Sequence, residues 1–294
     1  MPLKKVEPKK PAFEIPTAPL PASLTKGIYR TVQQFLPKRR RLMIGTEGPS
    51  ESGKTRFMLT CPGPVVILAV DRGVEGCLEV NNDRDDVAVI PFMVPRASVT
   101  DVTKSMQDLN NTEYVNAWRD LRSKYYQALD NVDARTVCLD GDTDSWELQR
   151  LAAFGKLKSV PSLMYADVYL ARKSLISHAY DSGKVVVHSH MVREGWRDQT
   201  DANGEPIRDD SGKTLRERSG EYERQGYDDT EYLWHVQLRH VIEFKDDGPH
   251  WGITILDCKQ RMELVGTTLW DEQCNFAGLV ELMYPDVSAE EWFQ

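Results

Sequence analysis

The stretch Arg41-Leu-Met-Ile-Gly-Thr-Glu-Gly48-Pro-Ser-Glu-Ser-Gly53-Lys54-Thr55 holds the residue types that phosphate chemistry needs. It satisfies the spacing G-x-x-x-x-G-K-[ST], and the apolar Leu42-Met43-Ile44 before it reads as a short buried strand. Glycine at 48 and 53 lets the backbone take positive φ and turn its N–H groups inward, so that with the next helix N-terminus they form an anion-binding nest. Gly48, Pro49, Ser50, Glu51, Ser52, Gly53, Lys54, Thr55 and Arg56 are therefore the candidate nucleotide-binding residues. Lys54 would reach the β- and γ-phosphates, and the Thr55 hydroxyl suits a Mg²⁺ ion that keeps several waters. Glu47 and Glu51 place negative charge close by, which opposes tight binding.

Such a loop calls for a partner carboxylate at the end of a neighbouring strand. Thr136-Val137-Cys138-Leu139-Asp140 fits, with Asp140 as the Mg²⁺-associated acid; Asp142 and Asp144 follow but do not directly end the strand. Hydrolysis also needs a group to orient or deprotonate water. Asp71 is the first candidate and Glu75 the second, although a helix N-cap or a solvated acid would equally explain either. Alternation places His188 and His190 on one side of a strand, without third and fourth metal ligands at standard spacing. His190, nearest the strand tip, is read as a polar sensor of the γ-phosphate or as a structural histidine. Trp118, Trp146 and Trp234 read as core rather than as base-stacking platforms.

The elements that position these groups follow from hydrophobic periodicity. Apolar runs at Pro64–Asp71, Asp86–Phe92, Thr136–Asp140 and Lys184–His190 alternate with helical spacing over Asp101–Asp130 and Ser162–Tyr180, which predicts an α/β domain with a mostly parallel sheet. Leu238–Phe244 and Trp251–Cys258 flank turn residues and predict a C-terminal β-hairpin; a helix is expected at Phe276–Met283. The expected organisation is a Pro- and Lys-rich flexible arm over residues 1–25, a short helix at Lys26–Phe35, an ATPase domain over 26–266 with a mobile loop at 196–230, and a helical tail over 267–294.

Composition narrows the classes further. The 294 residues are 40% hydrophobic and 28% charged, which excludes collagen-like, coiled-coil and wholly disordered chains. The net charge of -8 is uneven: residues 1–41 hold ten Lys/Arg against two Glu, leaving 27 basic and 43 acidic side chains in the rest. An acidic body argues against a uniformly basic nucleic-acid surface, though not against a local groove. Five cysteines without a CxxC pair predict reduced packing thiols, and no apolar run approaches the roughly 20 residues of a membrane span, so a cytoplasmic protein without membrane association is expected.

In this order the pieces resemble a RecA-like P-loop ATPase. GPSESGKT, PGPVVILAVDRGVEG and VVVHSHMVREGW are similar to segments of phage-encoded nucleotide-binding proteins of the RecA-like recombinase group, over about Arg41 to Leu264. The resemblance implies ATP and Mg²⁺ as ligands, Asp71 at the catalytic acid position where the family has glutamate, Asp140 at the Mg²⁺ acid, and His190 at the sensor. Cys258-Lys259-Gln260-Arg261 resembles the family's Lys-x-Arg motif, which implies that Lys259 and Arg261 reach a neighbouring subunit's γ-phosphate in a ring or filament of copies. A solvated strand end is the alternative for that pair. Single-stranded DNA would be bound by loops at Gly141–Val160 and Val192–Tyr227, in phage recombination or replication and alongside the proteins of those processes. Two other readings stay open: a nucleotide-dependent assembly or switch protein with protein partners, and a nucleotide kinase.

Overall fold

The computed structural model of the chain describes residues 40–70, 73–80, 84–95, 111–155, 160–201, 205–209, 211–227 and 232–294. The N-terminal arm, the Lys26–Phe35 helix and Asp71 lie outside the described residues. In chain order the elements are β1 (Leu42–Gly48), α1 (Lys54–Leu59), β2 (Val65–Ala69), α2 (Val74–Val80), β3 (Val87–Pro91), α3 (Asn111–Asp130), β4 (Thr136–Asp140) and α4 (Asp142–Phe154). There follow α5 (Ala166–Asp181), β5 (Val185–Asp198), β6 (Arg216–Arg224), β7 (Val236–Lys245), β8 (Gly248–Cys258), β9 (Thr268–Trp270), α6 (Phe276–Met283) and α7 (Glu290–Phe293).

These strands form one sheet in the order β3-β2-β4-β5-β1-β7-β8-β9, with β6 paired to the outer part of β5. Every pair from β3 to β7 along this order is parallel; β7–β8, β8–β9 and β5–β6 are antiparallel. The chain is thus an α/β protein with a mostly parallel sheet flanked by helices and closed by a C-terminal hairpin. β5 lies between β1 and β4, so a residue at its tip stands between the phosphate loop and Asp140.

Strand alternation divides the core between the two faces. Leu42, Ile44, Cys138, Val185, Val187 and Leu238 pack with Phe57 and Met58 of α1 and with Phe276, Leu279 and Val280 of α6. Met43, Val137, Leu139 and Val186 pack on the other face with Tyr125 of α3, Leu148 of α4 and Leu175 of α5. Each such side chain removed from water contributes about 1.5–3 kcal/mol. The tail beyond Thr267 therefore shares the main core through β9, α6 and the buried Trp292.

Two stretches expected to be loops are regular. Residues 142–154 of the segment assigned to DNA binding form α4, which starts directly after Gly141 at φ 93°. In the excursion 196–230, β5 runs on to Asp198 and pairs with β6 as a ribbon. Its few aliphatic residues hide the strand signal, because cross-strand ion pairs hold it instead: Arg197 with Glu217 at 2.7 Å and Arg216 with Asp198 at 2.9 Å. Among the described residues no helix is long and apolar enough to cross a membrane, and no disulfide joins the cysteines.

Candidate active site

The phosphate loop leaves β1 at Gly48 and hands Lys54 to the first turn of α1. Its two motif glycines serve different needs. Gly53 precedes α1 at φ 92°, which only glycine adopts without strain, whereas Gly48 is required for space. A Cβ there would stand 2.6 Å from Ser52 Oγ and 3.0 Å from the His240 backbone oxygen. Ser52 Oγ donates to the Pro49 carbonyl at 2.8 Å, and the Lys54 ammonium donates to the Gly48 and Pro49 carbonyls at 2.9 and 2.6 Å. An anion entering this nest would compete for an ammonium already aimed across the loop. Ser50, Glu51 and Arg56 are exposed around it, Pro49 and Thr55 half-buried.

Thr55 and Asp140 meet. The Thr55 hydroxyl donates to Asp140 Oδ2 at 2.8 Å, while Ser189 Oγ donates to Asp140 Oδ1 at 2.6 Å and accepts the Gly141 N–H at 2.8 Å. Hydroxyl, carboxylate and loop amides form the hard-oxygen and anion-binding set that suits Mg²⁺ bound to substrate phosphates, so the residues present fit the metal and the nucleotide. Among the described residues no three His, Cys, Asp or Glu side chains converge as a preformed metal cage.

Ser189 escaped the sequence reading, which took the histidines beside it. The alternation of Val187-His188-Ser189-His190 turns Ser189 to the α1 face and both histidines to the other, so the signal was present. There His188 Nδ1 lies 3.1 Å from Asp142 Oδ2, and His188 Nε2 lies 2.7 Å from the Tyr125 hydroxyl. Asp142 is fully buried and also pairs with Arg172. Burial opposes its charge, but Arg172 and His188 hold its carboxyl well below the usual carboxylate range. His190 is buried 3.5 Å from the same carboxylate, its pKa pushed down to about 3 by burial despite Asp142. The structure thus separates Asp140, beside the phosphate loop, from Asp142, which ties β5, α3, α4 and α5 together. It places His190 with the second group.

The remaining candidates lie apart. Glu75 is exposed in the first turn of α2. Cys258 pairs with Val236 at the start of β7, and Lys259 N–H donates to the His235 carbonyl, which sets Lys259 and Arg261 at the end of the strands opposite the loop. Lys259 Nζ donates to the Tyr232 carbonyl; Arg261 donates to Glu263 at 2.7 Å and to the Leu282 carbonyl at 3.1 Å. Neither reaches the phosphate loop of its own chain.

Glu47 does not confront the phosphates unpaired: Arg239, its register partner on β7, donates to it at 2.8 Å and also bonds the Tyr222 carbonyl of β6. His240, the next residue, is buried under the loop, its pKa pushed down to about 3 by burial and the nearby Lys54. A cleft of about 700 Å³ opens elsewhere, between α4 and the ribbon, beside Thr143, Trp146, Met191 and Gly226. Trp146 stacks there on Tyr227 and Tyr169 at 5.2 and 5.9 Å. Trp234 is core, as expected, and Trp118 is partly buried against the same core cluster.

No family model matches the sequence, and no curated protein matches it. Among solved structures, the chain is similar to the flagellar accessory protein FlaH from Methanocaldococcus jannaschii, with a TM-score of 0.39 and 9% sequence identity over 78% of this chain and 84% of that one.

Proposed function

We propose that the protein is a RecA-like P-loop ATPase that binds ATP with Mg²⁺ and hydrolyses it. The observation that carries this reading is the Thr55–Asp140 hydrogen bond, which brings a hydroxyl and a carboxylate together beside a lysine-bearing anion nest. The chemistry a bound Mg²⁺ would supply is positive charge that offsets the charge developing on the transferred phosphoryl group. Thr55 and Asp140 would hold the ion, Ser189 would fix the Asp140 carboxylate, and Lys54 would leave the loop carbonyls for the phosphates. Water would attack the γ-phosphorus as the bond to the β–γ bridging oxygen breaks and ADP leaves, and the water's proton would pass to a carboxylate base, for which Asp71 or Glu75 is proposed. Lys259 and Arg261 would act in trans, within a homo-oligomer; this part of the proposal rests on the resemblance of Lys259-Gln260-Arg261 to the Lys-x-Arg motif.

The resemblance to recombinase-group proteins supports a role on single-stranded DNA in phage recombination or replication, in the host-cell cytoplasm. A second reading, a nucleotide-driven assembly or switch protein acting on protein partners, gains from one observation. Arg193, Arg197, Arg216 and Arg218 of the ribbon each lie within 4 Å of a cross-strand acid, at 3.9, 2.7, 2.9 and 3.9 Å. Their charge is locally balanced, unlike the electropositive footprint that phosphate backbones select.

Steady-state ATP hydrolysis with Mg²⁺, with and without single-stranded DNA and beside Lys54→Ala, tests both. Lys54-dependent turnover raised by DNA supports the recombination role. Lys54-dependent turnover indifferent to DNA moves the protein to the switch reading, and turnover unaffected by Lys54→Ala removes the ATPase assignment.

A further inference from the structure

The base of the nucleotide has no assigned place in the sequence. We infer that the apolar outer end of the β7–β8 hairpin, Trp251 with Ile242 and Phe244 beside it, is the platform on which the nucleobase stacks. The inference rests on the phosphate-loop reading above and extends it to the other end of the ligand.

Direction comes from the sheet order. Asp140 and Ser189 stand on β4 and β5, to one side of β1, while β7 and β8 lie on the other. With Thr55 and Asp140 as the residues that would hold Mg²⁺ beside the terminal phosphates, the γ-end of a triphosphate would lie toward Asp140 and its α-phosphate and nucleoside would extend the opposite way. That way lies the hairpin. Leu238, Ile253 and Ile255 face the α1 side of the sheet, and the pairings His240↔Ile253, Ile242↔Trp251 and Phe244↔Pro249 carry the same face outward past the loop. His240 meets Phe57 of α1 edge-on at 5.8 Å, which confirms the face.

Trp251 closes on the loop itself. Its Cδ1 lies 3.7 Å from where a Cβ on Gly53 would stand, so the indole borders the nest at the point where α1 begins. It is half-buried, and Phe244 two positions along the same face is 82% exposed. A cross-strand wall of an indole, an Ile and a bare Phe at the mouth of an anion site is the surface that a flat heterocycle covers. Stacking tolerates any base, since every base offers a π-face, so the platform would hold adenine and guanine alike.

The test is equilibrium binding of ATP, GTP and inorganic tripolyphosphate, each with Mg²⁺, to the wild type, Trp251→Ala, Trp251→Phe, Phe244→Ala and Lys54→Ala. The expected result is about a tenfold loss of ATP and GTP affinity in Trp251→Ala with tripolyphosphate unchanged. Trp251→Phe should restore most of it, and Phe244→Ala should lose a smaller part. Equal losses for ATP and tripolyphosphate in Trp251→Ala would overturn the inference, by making the indole a support of the loop; no loss for either would overturn it too. If tripolyphosphate binding survives Lys54→Ala, the phosphate-loop reading itself fails and takes the platform with it.

Discussion

The Thr55 hydroxyl lies 2.8 Å from Asp140 Oδ2, although the two residues follow strands that do not touch. β5 fills the gap between β1 and β4 and contributes Ser189, whose hydroxyl takes the other carboxylate oxygen at 2.6 Å. Asp140 is thereby fixed from both sides.

Ser189→Ala removes one of these bonds without touching the phosphate loop. Groups that orient a metal-binding carboxylate usually contribute about 10- to 100-fold in metal affinity or activity. The Mg²⁺ concentration for half-maximal turnover should rise within that range, while tripolyphosphate binding without Mg²⁺ stays as in the wild type. An unaltered Mg²⁺ dependence would show that Thr55 alone positions Asp140.

The buried cluster around Asp142 predicts a stability effect separate from nucleotide chemistry. Asp142→Ala strips the partner from Arg172, which is itself buried, and leaving a buried charge unpaired costs roughly 3–5 kcal/mol. Denaturant titration should show a loss of that order. Protein that remains folded should still bind ATP, because Asp142 contacts neither Thr55 nor Lys54.

Gly45 on β1 faces the indole of Trp234, and a Cβ there would stand 2.7 Å from Cδ1. Trp234 is buried against His188 at 4.9 Å and has little room to yield. Gly45→Ala should destabilise by about 1–3 kcal/mol through overpacking. A midpoint equal to the wild type would show that Trp234 shifts freely.

The pH dependence of stability has a definite sign. His190 and His240 are held neutral by burial with pKa values near 3, and His235 by burial and the nearby Arg41 and Lys259 at about 4. Unfolded histidine takes up its proton at about 6.5, so below that pH the unfolded chain binds more protons than the folded one. Stability should therefore decline as pH falls from about 6.5 toward 4 and gain nothing from these groups above 7. His250, raised by Asp271 and Asp247, acts in the opposite sense, but it is a single half-buried surface group whose partners are exposed and screened by solvent. Denaturation midpoints between pH 8 and pH 4.5 check this, and a midpoint that rises on acidification would contradict it.

Much of the frame was legible in the sequence where local pattern and tertiary need coincide. β4 at Thr136–Asp140 and α6 at Phe276–Met283 have the boundaries that their apolar runs predict. β1 is longer than its apolar run because Thr46 is buried and Glu47 is neutralised by Arg239, a partner 192 residues away. The ribbon was invisible for the same kind of reason: its strands are held by opposite charges across the pair, which in one dimension look like a solvated loop. α4 was missed because it begins at once after Gly141, with no side-chain cap to announce it. At the site, the loop, Thr55 and Asp140 could be named from spacing and Ser189 was marked by strand alternation alone, whereas Arg239, His240 and Trp251 became visible only when strands distant in sequence were set side by side.

The central claim is that the Gly48–Thr55 loop binds nucleoside triphosphate through Lys54 and Mg²⁺. Calorimetric titration of ATP into the wild type and into Lys54→Ala, each with and without Mg²⁺, tests it most directly. Saturable one-site binding by the wild type, weakened without Mg²⁺ and lost in Lys54→Ala while the variant keeps the wild-type unfolding midpoint, is the result expected. Binding of equal strength in the folded Lys54→Ala protein would contradict the account.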